Sequence, residues 1–96
     1  MATRVERTIS FAVWGPIRPD DVPGLCDRVC ALFNAEHPDV AICDVQGVEP
    51  DAVTVAALAR LQLGARRAGC QVRLRNAAPG LLDLVAFMGL TDVLPE

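Results

Sequence analysis

The sequence is poor in aromatic side chains: it has no tyrosine, one tryptophan and three phenylalanines among 96 residues. Because 52% of the residues are nevertheless hydrophobic, the core must consist mainly of Val, Leu, Ile and Ala. The same hydrophobic content, together with 22% charged residues, excludes a disordered tail. A chain of this length is expected to form one small domain with a narrow margin of stability.

Long apolar segments are also missing. The longest apolar runs fall well short of the ~20 residues that a membrane-spanning helix needs, and the N-terminus, MATRVERTIS, lacks the apolar centre of a signal peptide. We therefore expect a cytoplasmic protein without membrane insertion. The net charge of −3 argues against a nucleic-acid partner. Five arginines are interpreted as part of a solvated surface: Arg60, Arg66, Arg67, Arg73 and Arg75.

Histidines and paired cysteines are too few for a metal centre. His37 is the only histidine, and no CxxC pair occurs. The four cysteines, Cys26, Cys30, Cys43 and Cys70, are interpreted as buried, reduced side chains that act as small hydrophobic groups. A redox switch at Cys26 and Cys30 is the alternative. No metal or other cofactor is expected.

Familiar catalytic and nucleotide-binding motifs are absent from the sequence as well. There is no GxSxG, no P-loop and no GxGxxG. Most carboxylates stand where helix caps or surface groups are expected. The sequence therefore predicts a protein that is not an enzyme.

What the sequence does contain is a regular alternation of strand and helix patterns. Alternating or continuous apolar residues predict strands over 8–15, 40–45 and 71–76. Apolar residues spaced by three and four predict helices over about 22–35, 51–68 and 79–88. The continuous apolar run at 40–45 predicts a strand that is covered on both faces. This β-α-β-α-β-α order predicts an α/β fold with a small, mainly parallel sheet.

Acidic residues stand at the starts of the first two predicted helices and at the end of the second strand. Asp20 or Asp21 is a candidate N-cap of the first helix, and Asp51 is the expected N-cap of the second. Thr54 follows in the first turn, where its hydroxyl either bonds back to the cap or carries a phosphate that the free helix amides would stabilise. Asp44, at the end of a buried strand, either accepts hydrogen bonds from the next turn or belongs to a site there.

Several stretches taken together resemble the STAS domain, the module of anti-sigma factor antagonists and of sulfate-transporter tails. FAVWGPIRPDDVPGL matches the family's strand that ends in Gly and its polar approach to a helix, and ICDVQGV matches its buried strand ending in Asp-hydrophobic-x-x-Val. DAVTVAAL stands where the family has Asp-Ser-Ser-Gly-Leu-x-x-Leu. ARLQLGARRAGCQVRLRN and PGLLDLVAFMGLTDVL follow the family's long helix, turn, strand and last helix. The resemblance extends from about Thr8 to Pro95.

The resemblance implies a single STAS-like domain over 1–96, with 1–7 as a short N-terminal extension, and a small mixed, mainly parallel sheet with helices packed on one side. Family antagonists bind an anti-sigma kinase, release a sigma factor and are switched by phosphorylation of a serine in the Asp-Ser-Ser-Gly turn. In this chain the two serine positions are Ala52 and Val53, and the glycine position is Thr54. Either Thr54 is the phospho-acceptor, or the switch is absent.

The resemblance thus leaves two main functions open. The first is a bacterial partner-switching regulator that binds an anti-sigma factor or histidine-kinase-like ATPase. The second is an adaptor subunit of a transporter, for example on an ABC-transporter ATPase of lipid uptake, and a small-ligand sensor is a weaker third. The oligomeric state is left open. Partner contacts are expected at Gly15, Pro16, Asp20, Asp21, Asp44, Asp51, Ala52, Val53 and Thr54.

Overall fold

The computed structural model describes residues 6–96, so most of the predicted N-terminal extension lies outside the described residues. Three strands alternate with three α-helices, and a short 3-10 turn, Pro19–Asp21, precedes the first helix. The elements are β1 (Thr8–Trp14), α1 (Val22–Glu36), β2 (Val40–Gly47), α2 (Ala52–Arg67), β3 (Gln71–Arg75) and α3 (Pro79–Phe87). The α/β class and every predicted element are confirmed, with boundaries that shift by one or two residues.

The sheet has the strand order β1-β2-β3, and β2 pairs in parallel with both neighbours. The sequence predicted a mixed, mainly parallel sheet; among residues 6–96 the three strands are all parallel. Because crossover connections are right-handed, consecutive strands laid down in one direction place their connecting helices on the same face. This explains why the helices pack on one side.

The prediction that β2 is covered on both faces is wrong. Ala41, Cys43 and Val45 are buried, whereas Ile42 and Asp44 between them are only half-buried. Buried and half-buried residues alternate along this part of β2 because successive side chains of a strand point to opposite faces of the sheet. The helices cover only one of these faces. The strand is continuous and apolar since it is central in the sheet, while its second face stays partly open to solvent.

The core is aliphatic, as the composition predicts. Its largest fully buried side chains include Phe33, Leu58, Leu61 and Leu81. Truncating any one of these leucines to alanine should cost roughly 2–5 kcal/mol of unfolding free energy, because a small domain cannot collapse around the cavity.

The four cysteines are all free thiols. Cys43 and Cys70 are buried, which confirms the interpretation as small hydrophobic groups for these two. Cys26 and Cys30 are only half-buried, so the expectation of burial is wrong there. They lie four residues apart on α1, and residues with this spacing lie on the same face of a helix.

The outer edge of β3 is closed by groups that are not part of a strand. The side-chain amide of Gln62, fully buried on α2, bonds to the backbone of Val72, and the N–H of Leu74 donates to the carbonyl of Pro95 at 2.8 Å. The chain's last residues therefore lie beside β3. No helix in the part of the chain that the structure describes is both long and apolar enough to cross a membrane.

Candidate functional site

The start of α2 has the N-cap that the sequence predicts. Asp51 has an extended backbone, with φ of −124°, and its Oδ1 accepts a hydrogen bond from the N–H of Thr54 at 2.8 Å. The carbonyl of Asp51 accepts the first helical bond, from Val55, at 3.1 Å. A carboxylate in this position also lies at the positive end of the helix dipole. The start of α2 is therefore a capped helix end.

The four residues of the predicted docking turn have very different exposures. Ala52 is exposed, Asp51 is half-buried, and Val53 is half-buried and packs against the core. Ala56, one helical turn after Ala52, is exposed as well. With the exposed Pro50 before the cap, these side chains form a small apolar surface. We call Pro50, Ala52 and Ala56 the α2-start surface.

Thr54 is fully buried, and its hydroxyl oxygen has no hydrogen-bond partner in the described part of the chain. The local bond from this hydroxyl back to the cap, one of the two alternatives from the sequence, is not formed. A kinase needs an accessible hydroxyl, so Thr54 could be modified only after the first turn of α2 opens. Phosphorylation of Thr54 stays a prediction, now with this structural requirement.

The end of β1 lies directly against the turn that leads into α2. The N–H of Gly15 donates to the carbonyl of Gly47 at 2.9 Å. A Cβ at Gly15 would lie 3.1 Å from the backbone N of Glu49 and 3.2 Å from the Cα of Val48, so only glycine allows this approach without displacement. Pro16, joined to Gly15 by a cis peptide bond, is exposed. The structure thus brings Gly15 and Pro16 to the same end of the sheet as the α2 start.

Trp14 was not predicted as a site residue, but it lies at the same end of the sheet, as the last residue of β1. Its side chain is 73% exposed, and its ring covers Gly47 so closely that a Cβ there would overlap the indole. Trp14 therefore adds an exposed apolar group at Gly47, from which the chain continues through the turn into α2. The signal was available in the sequence, since Trp14 falls on the outward side of the alternating strand.

Asp44 joins the ends of β2 and β3. Its Oδ1 accepts from the backbone N–H of Gln46 at 3.0 Å, its Oδ2 accepts from Asn76 Nδ2 at 3.1 Å, and the Arg75 guanidinium lies 3.9 Å away. The Gln46 hydrogen bond, with smaller effects from Asn76 and Arg75, holds the pKa of Asp44 below its ordinary value. The alternative that Asp44 accepts hydrogen bonds from the next turn is therefore realised.

Asp20 and Asp21 lie in the 3-10 turn before α1, and both are exposed. Asp21 occupies the N-cap position of α1, but its side chain does not cap the helix. Its Oδ2 accepts from the N–H of Arg18 at 3.2 Å instead, which closes the preceding turn. The predicted capping role is wrong because this nearer amide takes the carboxylate.

The start of α3 flanks the start of α2. A Cβ at Gly80 would lie 3.8 Å from the ring of Pro50, an ordinary contact distance. At the other end of the helix, Phe87 is 88% exposed. The α2-start surface therefore adjoins Gly80 at the start of α3.

Neither a metal cluster nor a described cavity coincides with the start of α2. Within residues 6–96 there is no group of three or more His, Cys, Asp or Glu side chains that could hold a metal ion. Two shallow cavities of about 240 and 250 Å³ lie between α1 and α2, both lined by Cys30, Gly64 and Arg67. Neither is lined by a residue of the α2-start surface. Burial, partly offset by Arg60, raises the pKa of the Cys26 thiol beside the second cavity.

Comparison with known proteins identifies a fold. A crystal structure of a sulfate transporter family protein from Wolinella succinogenes superposes with a TM-score of 0.68, at 23% sequence identity, over 95% of this chain and 75% of that one. No protein-family model matches the sequence, and no curated protein is significantly similar to it. At this identity the likeness shows a shared fold and nothing about activity.

Proposed function

We propose that this chain is a non-enzymatic interaction module that binds an ATPase through the α2-start surface. The observation that carries the proposal is the combination of a capped helix start with exposed apolar side chains at Pro50 and Ala52. Apolar groups held in place at a surface lose little conformational entropy on binding and release water when covered. The neighbouring Trp14 and Pro16 enlarge the same end of the molecule.

The first candidate is an anti-sigma factor antagonist-like regulator in a partner-switching pathway. The STAS-like motifs support it, because the family's regulated turn falls on the start of α2. Asp51, the residue that aligns with the family's acidic cap, is the observed N-cap here. The partner would be an anti-sigma factor of the histidine-kinase-like ATPase type. Regulation by phosphate would have to act through Thr54, whose hydroxyl is buried.

The second candidate is a STAS-type adaptor subunit of a transporter. The absence of both family serines from the turn favours it. An adaptor needs a constant docking surface and no switch, which agrees with the apolar residues at positions 52 and 53. Its partner would be an ABC-transporter ATPase.

The two candidates are separated by the identity of the bound ATPase. The tagged full chain would be purified from its native cell beside an Ala52→Asp variant, and captured proteins would be identified by mass spectrometry. Aspartate at the first helical position agrees with the helix dipole, so the variant should fold normally while placing a charge in the apolar surface. Ala31→Asp, at an exposed position of α1, is the matched control.

The proposal expects an ATPase that is retained by the wild type and by Ala31→Asp but lost from Ala52→Asp. A histidine-kinase-like ATPase supports the regulator, and an ABC ATPase supports the adaptor. Equal capture by all three proteins would rule out the α2-start surface as the docking site. Substitution of Val53 would be a poorer test, because Val53 packs against the core and a charge there would also destabilise the fold.

A further inference from the structure

The two edges of the sheet differ in how their backbone groups are satisfied. At the β3 edge, the N–H and the carbonyl of Val72 bond to Gln62, and the N–H of Leu74 bonds to Pro95. No further strand can pair at this edge without displacing these partners. If the sheet is extended by another strand, the extension must occur at β1.

Among residues 6–96, the outer backbone groups of β1 have no hydrogen-bond partner, and they form a regular series. The N–H of Val40 donates to the carbonyl of Arg7 at 3.2 Å, and Thr8 lies opposite Val40 in the ladder. Because alternate residues of a parallel strand bond to the same neighbour, Ile9 and Phe11 bond towards β2. The N–H and carbonyl groups of Thr8, Ser10 and Ala12 therefore point to the outer edge. Among residues 6–96 no strand lies on that side of β1.

This edge carries few of the features that normally prevent strand pairing. The strand, TISFAVW, has no charged residue and no proline. Its one irregularity is a register shift between Ala12 and Trp14, which leaves Thr8–Ala12 in regular register. On the helix-covered face, Ile9 and Phe11 are only half-buried, although both pack against the core. These two side chains are what an added strand would cover.

We infer that the β1 edge binds a second copy of this chain, with the two β1 strands antiparallel about a two-fold axis at Ser10. The regular segment is symmetric about that residue, so Thr8 lies opposite Ala12 of the second copy and Ser10 lies opposite its own counterpart. Three outward-facing residues then pair with three, and each bonded pair exchanges two hydrogen bonds, about six in all. The two copies form one continuous six-stranded sheet.

A second copy fits this edge for reasons of side-chain chemistry and closure. The antiparallel register puts Ile9 directly opposite Phe11 of the other copy, so the two half-buried apolar side chains cover each other. No charged side chain meets another of the same sign, because the strand contains none. Since the β3 edges are closed, the assembly stops at two chains and cannot grow into a fibre. The contact is small, so dimerisation should depend on protein concentration.

The test is sedimentation velocity on the purified full chain over a wide concentration range. The wild type should shift from monomer to dimer as the concentration rises. Ser10→Lys places two positive charges beside each other at the axis, and Ser10→Pro removes an outward N–H while leaving the β2 ladder intact. Each should raise the dimer dissociation constant by about tenfold or more. Gln71→Lys, an exposed residue on the same face of β3, is the matched control and should dimerise like the wild type.

Hydrogen exchange supplies a second measurement that does not depend on how the variants fold. The amides of Ser10 and Ala12 should exchange more slowly as the wild type dimerises, while the exchange of exposed amides elsewhere stays constant. A wild type that is monomeric at every concentration would overturn the inference. So would a dimer that both Ser10 variants leave unchanged, or protection of these amides in the monomer, which would mean that the chain covers its own edge.

Discussion

Gln62 and Val72 exchange two hydrogen bonds between a helix side chain and a strand backbone. Gln62 Nε2 donates to the Val72 carbonyl at 2.9 Å, and Gln62 Oε1 accepts from the Val72 N–H at 2.8 Å. The same Nε2 also donates to the carbonyl of Val93 at 2.8 Å. A fully buried amide thus takes the place of a fourth strand and holds the C-terminal segment beside β3.

Replacing Gln62 with leucine should destabilise the protein by about 3 kcal/mol, because two buried backbone groups of Val72 lose their partners while the volume stays similar. Urea unfolding followed by circular dichroism measures this free energy. Gln71→Leu is the matched control at an exposed position and should change the stability by less than about 0.5 kcal/mol. A loss at position 62 no larger than the control's would show that other groups satisfy Val72.

Removing the hydroxyl of Thr54 should leave the stability unchanged or raise it by about 1 kcal/mol. Thr54→Val keeps the shape and replaces a buried, unpartnered polar atom with an apolar one. Thr54→Glu, a charge at the same buried place, should cost more than about 3 kcal/mol. Thermal unfolding of both variants compares the two effects. A clear loss of stability in Thr54→Val would show that the hydroxyl has a partner.

If Thr54 is a phospho-acceptor, mass spectrometry after incubation with a cognate kinase should place the phosphate on it. Because the side chain is buried, the rate should rise in a variant that loosens the start of α2, and Asp51→Ala removes the cap bond for this purpose. An unmodified Thr54 in both proteins, under conditions that modify a control antagonist, would end this hypothesis.

The elements of the fold could be predicted because each carries a local signal. The alternation at 8–14 and the capped start at Asp51 depend only on neighbouring residues. The burial of Thr54 and Gln62 could not be predicted, because polar residues of a helix are usually exposed. Their partners, or the lack of them, depend on where β3 and the C-terminal segment lie. The open face of β2 depends likewise on the whole topology.

The hydrogen bonds of Asp44 should make part of the stability depend on pH. Its pKa is lowered in the folded protein, so its contribution is complete above the ordinary value of 3.8 and is lost as the pH falls through the lowered value. The difference in unfolding free energy between wild type and Asp44→Asn should therefore be largest at neutral pH and shrink in acid. Asp83→Asn, at an exposed carboxylate of α3, is the matched control. A difference that stays constant to pH 3 would contradict this role of Asp44.

The thiols should differ in their reactivity in the native protein. Burial, with a smaller effect of the neighbouring Asp44 carboxylate, raises the pKa of Cys43 to about 12. At pH 8 this thiol should stay unlabelled by iodoacetamide until the protein unfolds, whereas the half-buried Cys26 and Cys30 should label first. Peptide mapping after timed alkylation measures the order. Early labelling of Cys43 would show that β2 opens readily.

The candidate site could be predicted only in part, because the exposure of its side chains depends on how the whole chain packs. Asp51, Ala52 and Gly15 are predicted contact residues because the family resemblance assigns them to the docking turn and the neighbouring loop, and the structure places them at the same end of the sheet. Whether Val53 and Thr54 are accessible depends on packing against the core, which spacing alone does not reveal. Pro50 and Ala56 are included in the α2-start surface only because the structure shows that they are exposed.

The most direct test of the central claim is the dissociation constant of the captured ATPase for three purified proteins: wild type, Ala52→Asp and Ala31→Asp. Calorimetry should give equal constants for the wild type and the α1 control, and one weaker by about tenfold or more for Ala52→Asp, because a charge in an apolar contact must be desolvated. Circular dichroism must show that all three are folded. Equal binding by Ala52→Asp and the wild type would contradict docking through the start of α2.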